Sequence, residues 1–568
     1  MIPNDAAALD VQLALSQHAS GMSSVLYQAL LQRLAHGQNL EELVVILSSI
    51  AQHGALVTQH HSRFEALLGV LFMFDWHVPE PRVCAAFEDV LASFASSHAG
   101  FHEPAFELLV GNFTRLPADA GMRAFKLQRL HAAMLRLLRL NPLACAALLP
   151  VLVGRFPSVH ADEAALQGYL HEALAVCAYA PILRDKVLFV AVDRLVELDG
   201  QVAAVADADM FKMDDVAKRA RTSQDTSSQD ASQQDSEAVA KADALLCELM
   251  AHCAKCSRAL FRQLLGVFDK LILRTGRART AQFLVFYAAR QKPSSHCDAL
   301  IQLLLQRITE RHEPAHVRKQ AAAMLGSFLA RARFVPASSA KSALHHCTAW
   351  LADESRRLRG RRESRDVFDA CFQAVVYALL YKHALVGGMD FMRGLGWDGV
   401  VAGPLCPLER LSQDVAHMYA EVFLRGGGGA QGDQDEEPLR HFTPPPASAQ
   451  ELAETFPFDP LLLPRARALV ADDYQEWDDA AVYGPDQLDE DEEEDVEGDN
   501  DDDDDNDAAL LAGEGLPAPV RIAAIRRLLG VASMDDDDDL VFPSPALRPA
   551  AAAAAELKQL SNGLAGSW

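Results

Sequence analysis

Aromatic side chains are scarce. They make up 7% of the 568 residues, and tryptophan occurs five times. Sheets draw on aromatic and β-branched residues, so this scarcity, beside abundant Ala and Leu, favours helix over strand. Long apolar runs are missing too. The uncharged stretch between Arg139 and Arg155 has 15 residues and holds Pro142 and Pro150, which is too short for a membrane span. The opening Met-Ile-Pro-Asn-Asp-Ala lacks the basic region and apolar core of a secretory signal. Ten cysteines are scattered, most of them in apolar helical stretches. That suits buried thiols in a reducing compartment and argues against a disulfide framework.

Catalytic signatures are also absent. There is no G-x-x-x-x-G-K-[ST], no G-x-G-x-x-G after a strand, no G-x-S-x-G and no H-E-x-x-H. Gly426 to Gly429 lack a following Lys and helix start, so they read as a linker. Nothing places a nucleophile beside a base, and the expectation is a protein that is not an enzyme and uses no cofactor.

Positive charge in excess is missing as well. The net charge is -26, but residues 471–568 carry 28 acidic and 5 basic side chains. Residues 1–470 hold 50 acidic and 47 basic ones, so the body is nearly neutral. It lacks the broad basic face of an autonomous DNA binder, and no sequence-specific DNA binding is expected of it alone.

What is present, from about residue 8 to 425, is a succession of amphipathic helices. Leu183, Val187, Val190, Ala191, Leu195 and Leu198 form one stripe. Phe261, Leu264, Leu265, Phe268, Leu271 and Ile272 form another, and Val317, Ala321, Leu325, Phe328 and Leu329 a third. Spacings of three and four put each set on one helix face. Pro142, Pro157, Pro181, Pro293, Pro314 and Pro336 fall between stripes, where they start or stop helices. The fold expected is all-α, a solenoid of paired helices.

The boundaries follow composition. Residues 1–211 form an N-terminal helical-repeat half and 243–425 a C-terminal half. Residues 212–242, rich in Ser, Gln and Asp, read as a disordered internal loop. A flexible linker spans 426–450, and a segment at 451–484 contains Phe-Pro-Phe-Asp-Pro. An acidic, mostly disordered tail covers 485–568, with 16 acidic and no basic side chains at 486–507.

Several clusters invite a chemical reading. Cys253 and Cys256 form a C-x-x-C beside His252, but no second ligand pair follows at zinc spacing, so buried helical thiols are expected. His345, His346 and Cys347 lie on an apolar helix pattern and read as packing. Six arginines between Arg356 and Arg365 suit a nuclear-import signal, a phosphate contact or a solvated turn balanced by Asp353, Glu354 and Glu363. Ser533 precedes Met-Asp-Asp-Asp and suits an acid-directed kinase, and Ser544-Pro545 suits a proline-directed one.

The segment Phe456-Pro457-Phe458-Asp459-Pro460, continuing to Tyr474-Gln-Glu-Trp477, resembles the C-terminal signature of the RNA polymerase I-specific transcription initiation factor family, the TIF-IA or RRN-three type. The run from Val317 to Pro336, with Gly326, Ser327 and Phe328 at its centre, is similar to that family's most characteristic helix. Gln282–Tyr287, Arg155–Pro157, Tyr179–Arg184 leading to Arg194–Asp199, and Cys371–Tyr377 with Tyr381–His383 agree, in family order across residues 90–480. The resemblance implies HEAT-type repeats and no catalysis. It implies binding to RNA polymerase I near its stalk and to the core-promoter initiation factor, on ribosomal RNA genes in the nucleus and nucleolus. It implies regulation by protein kinases and phosphatases through a surface serine patch. Ser96 and Ser97 stand where such serines would sit, with Ser533 and Ser544 as further phosphosites. It implies no membrane, and a homodimer is compatible with it. Other helical-repeat adaptors, such as a nuclear transport receptor, and an acidic-tailed chaperone for basic nuclear proteins are the alternatives. Residues 508–568 match nothing in the family.

Overall fold

The computed structural model describes residues 10–22, 25–36, 39–73, 80–216, 227–276, 278–359, 364–425, 456–458 and 461–476. Among these residues the regular elements are helices, and the sole extended pairing is an antiparallel bridge between Ala332 and Tyr474. The three stripes read from the sequence turn inward. Val187, Ala191, Leu195 and Leu198 are buried, as are Phe261, Leu264, Phe268 and Ile272, and all five residues of the third stripe.

The punctuation has local causes. Pro142 and Pro181 open single 3-10 turns after long helices, and Pro293 opens the helix Pro293–Thr309, where its missing N–H costs nothing. Asp119, Asp162 and Ser257 accept backbone N–H bonds at helix N-termini, from Met122 at 2.7 Å, Ala165 at 2.6 Å and Leu260 at 3.2 Å. Gly387, at φ 96°, ends the helix Asp366–Val386 in the left-handed conformation that glycine tolerates best.

Packing runs mostly between helices close in chain order, and the described helices share a hydrophobic core. Among the described residues the most extensive helix–helix contact is Ala315–Arg331 against Asp366–Val386. Its cause is Gly326. A Cβ there would lie 2.6 Å from the Ala374 Cα and 2.7 Å from the Ala374 carbonyl oxygen, so only glycine lets these backbones touch. Asp199, fully buried, accepts the backbone N–H groups of Arg279, Thr280 and Ala281 at 3.1, 3.0 and 2.9 Å. It ties the turn ahead of the helix Phe283–Ala289 to the helix Arg184–Val216.

The stretch 212–242 is shorter as a break than its composition suggests. Arg184–Val216 runs into it, and Ser227–His252 begins inside it. Ala238 and Ala242 are buried in the core, and Lys241 pairs with Glu237 at 2.6 Å and reaches the Val159 carbonyl at 3.2 Å. Alanines on a helix face read as low hydrophobicity in a composition window, yet they suit a tightly packed helix. Residues 217–226 lie outside the described residues. No single helix among the described residues is long and apolar enough to cross a membrane.

Candidate functional site

The C-terminal segment crosses the helix pair Ala315–Arg331 and Asp366–Val386 and is held there by its own side chains. Phe456 stacks on Tyr377 with ring centroids 3.8 Å apart. Two residues on, Phe458 is buried, and its ring meets Phe283, Phe286 and Phe328 at 5.5, 5.6 and 5.9 Å. Pro457 and Phe458 form a turn, and all three residues of Phe456-Pro457-Phe458 lie against the array, with Pro457 buried between the two aromatics. The backbone is anchored as well. The Phe458 N–H donates to Ser327 Oγ at 2.9 Å, Tyr474 Oη donates to the Phe458 carbonyl at 2.8 Å, and Gln282 Nε2 donates to the Pro457 carbonyl. Small Gly326 and Ser327 in mid-helix thus serve two contacts, one with Ala374 and one with the docked segment.

Further on, Leu463 is buried at the N-cap of the helix Pro464–Val470, and Ala466 and Val470 are buried on the helix itself. Asp243 from the helix Ser227–His252 caps that helix across the chain, accepting from the N–H groups of Arg465 and Ala466, each at 2.9 Å. The Arg465 guanidinium adds Glu163 at 2.9 Å. The segment then pairs beside the end of Ala315–Arg331: the Arg333 N–H donates to the Asp473 carbonyl at 2.9 Å, and the Gln475 N–H donates to the Arg331 carbonyl at 2.7 Å. Arg290 forms an ion pair with Asp473. The buried Arg331 guanidinium sits 5.7, 4.6 and 5.5 Å from the rings of Tyr377, Tyr381 and Tyr474, a three-tyrosine cage that stabilises the cation by the ring quadrupoles.

Lys382 Nζ donates to Gln475 Oε1 at 2.6 Å. Burial, with a smaller contribution from the nearby Arg333 charge, pushes the Lys382 ammonium down to about 8. The unfolded lysine stays near its ordinary value of about 10.4, so the unfolded chain holds more protons between those values. Stability therefore rises as the pH climbs from about 8 to about 10.4. Urea melts across that window should show the wild type gaining on Lys382→Met, and parallel profiles would refute the assignment.

Other residues singled out by sequence fall as follows. Ser96 and Ser97 are exposed in the last turn of the helix Pro81–Ser97. Ser93 of the same helix faces inward: its hydroxyl donates to the Ala51 carbonyl at 2.6 Å, and Gly54 packs against it. Cys253 and Cys256 are buried, and the Cys253 thiol is pushed up by its hydrogen bond to Cys256 and by burial. His345 and His346 are exposed, whereas Cys347 is buried beside Cys371. Arg356, Arg357 and Arg365 pair with Asp353, Glu354 and Asp369 on their own helices. Arg361, Arg362, Asp459, Pro460, Trp477, Ser533 and Ser544 lie outside the described residues.

Sequence reasoning missed Asp243 and the role of Arg331. Asp243 sits in an ordinary helical pattern, and its partner is more than two hundred residues away, so no local signal marks it. Tyr377 and Tyr381 stand in a recognisable block, and their spacing of four on one face was the available hint.

The comparisons with known proteins agree with this architecture. A family model described as RNA polymerase I specific transcription initiation factor RRN3 matches residues 3–482. The RNA polymerase I-specific transcription initiation factor RRN3 of Mus musculus is 24% identical over 499 residues, covering 74% of this chain and 73% of that protein. Its Schizosaccharomyces pombe counterpart is 21% identical over 428 residues, covering 65% and 69%. A crystal structure of RNA polymerase I transcription initiation factor Rrn3 superposes with a TM-score of 0.64 at 18% identity, over 82% of this chain and 97% of that one, which shows a shared fold. The match spans both halves of the helical array and the docked Phe-Pro-Phe segment alike, and the chain belongs to the RRN3 family of RNA polymerase I-specific transcription initiation factors.

Proposed function

We propose that this protein binds RNA polymerase I near its stalk and bridges it to the promoter-bound core factor on ribosomal RNA genes, within the nucleolus. The observation that carries this reading is the family match across residues 3–482. The array acts as a HEAT-type scaffold. It presents surfaces rather than catalytic groups and works without a cofactor or direct sequence-specific contact with DNA. The clamp built by Phe456, Phe458 and Arg331 is a structural device that closes the C-terminal half.

Phosphorylation at Ser96 and Ser97 weakens polymerase binding in this proposal, with kinases and phosphatases setting the balance. Ser533 and Ser544 are additional phosphosites. Both patch hydroxyls are exposed, and neither caps the helix, whose ends are held by Glu80 and His98. A phosphate adds about -1.5 to -2 charge, in a helical turn whose carbonyls already point negative. On a face that meets an acidic or apolar partner, that charge is repelled or costly to desolvate.

The test is a pull-down of polymerase I with Ser96→Asp/Ser97→Asp and with Ser96→Ala/Ser97→Ala, beside their melting curves. The alanine pair should keep both binding and stability, within about 0.5 kcal/mol. The aspartate pair should lose binding at a stability cost of no more than about 1 kcal/mol per site. Undiminished polymerase binding by the aspartate pair would remove these serines from the surface. Failure of the unmodified protein to co-purify polymerase I subunits from nuclear extract would overturn the bridging role itself.

A further inference from the structure

Beside the docked segment lies a cavity of about 370 Å³, within the ~300–1,000 Å³ range of ligand pockets. We propose that it is a binding site for a partner peptide that carries a carboxylate next to an aliphatic side chain. The inference does not depend on the polymerase reading.

The floor is apolar and shallow-walled because its residues are small. Ala323 and Gly326 come from the helix Ala315–Arg331, and Ala374 from the facing helix. Phe456, held on Tyr377, forms one wall. A methyl or isobutyl group laid on this floor would leave water, at about 25 cal/mol per Å² of apolar surface covered.

The polar lining is one-sided. Lys319 is half-buried and makes no ion pair or hydrogen bond with any described residue. Gln373 is 7% exposed; its Oε1 accepts the Ser412 N–H at 3.1 Å, and its Nε2 bonds to no described residue. That amide is a donor on a nine-tenths-buried side chain that lines the cavity. Among the described residues that line it there is no Asp or Glu, and the other polar side chains are those of Thr275, His316, Gln320 and Ser327. A half-buried cation and an amide donor facing the same cavity favour an anionic oxygen, which can accept from both. Among the described lining residues Lys319 is the one permanent cation, with His316 beside it, which matches a single carboxylate; a phosphate dianion would leave charge uncompensated. The apolar floor then selects an acidic peptide with a neighbouring aliphatic residue over a free small anion.

The test uses a fluorescein-labelled peptide, Gly-Glu-Leu-Asp-Glu-Leu-Gly, titrated by fluorescence anisotropy with the full chain at low salt. Saturable binding is expected. It should weaken at least about tenfold with Lys319→Glu and also with Ala323→Phe, which fills the floor, while melting temperatures stay near the parent's. The same peptide with Gln and Asn in place of its acids should bind at least about tenfold more weakly. Absence of saturable binding, equal binding of the neutral peptide, or indifference to Lys319→Glu would overturn the proposal. Should the Ala323→Phe chain fail to fold, the half-exposed Lys319→Glu variant decides alone. Binding that appears only when the acidic side chains of residues 486–507 are replaced by Asn and Gln would assign the site to the chain's own acidic stretch, and would overturn a partner as occupant.

Discussion

Gly326→Leu should separate the helices Ala315–Arg331 and Asp366–Val386. Added side-chain atoms at this position meet backbone, since the Ala374 Cα, O and Cβ stand 2.6, 2.7 and 2.8 Å from where a Cβ would be built. Backbone cannot rotate away as a flexible side chain can. Two effects oppose each other in the milder Gly326→Ala. Helix propensity favours alanine by about 1 kcal/mol, whereas overpacking costs about 1–3 kcal/mol. With contacts this short the steric term wins, and Gly326→Ala should be destabilised by about 1–2 kcal/mol. Leucine adds three more carbons in the same direction, so a loss of more than about 4 kcal/mol is expected, enough to unfold this part of the array. Circular dichroism melts of both variants check the order. A Gly326→Ala protein that melts above the parent would show that the helices have room to move apart.

Phe458→Asp carries the second large effect. The ring is buried among Phe283, Phe286 and Phe328, and its removal alone costs about 3–5 kcal/mol. A carboxylate in its place has no cation beside it in this aromatic cluster, and burying it is costlier than leaving the cluster. The chain from 456 to 476 should therefore release, taking Tyr474 from the Arg331 cage. Trypsin reports this directly, because Arg465 and Arg467 lie on the docked helix Pro464–Val470. Cleavage after both should accelerate in Phe458→Asp and much less in Phe458→Leu, which keeps an apolar filler. Equal cleavage of parent and Phe458→Asp would mean that the segment is not held by this ring.

Much of the fold was legible because helices announce themselves locally. The stripe Val317, Ala321, Leu325, Phe328, Leu329 needs only a spacing of three and four to be read as a buried face, and all five are buried. Proline and cap positions are similarly local. At the end of the stretch 212–242 composition says less than position, because it averages over both faces of a helix: Ala238 and Ala242 reach the core. The candidate site was legible in part. Two aromatics in Phe456-Pro457-Phe458 mark a segment able to dock, but no pattern in the segment names Tyr377 or Ser327 as what it meets. Ser93 and Ser96 look alike in sequence. Their neighbours differ: Ser93 meets the Ala51 carbonyl one turn earlier, whereas Ser96, in the last turn of the helix, is exposed.

By itself the sequence determined an all-α array, a near-neutral body with an acidic C-terminal stretch, and, through motifs kept in order, the family. Those properties depend on periodicity, charge count and motif order, each of which is written along the chain. Tertiary structure decided what joins residues far apart: Asp243 capping the helix at Arg465, three tyrosines closing on Arg331, and Gly326 admitting Ala374. Each of these contacts is selected by shape and by the need to satisfy buried polar groups. Such requirements exist only once the helices have come together, because in the unfolded chain water meets them at every residue.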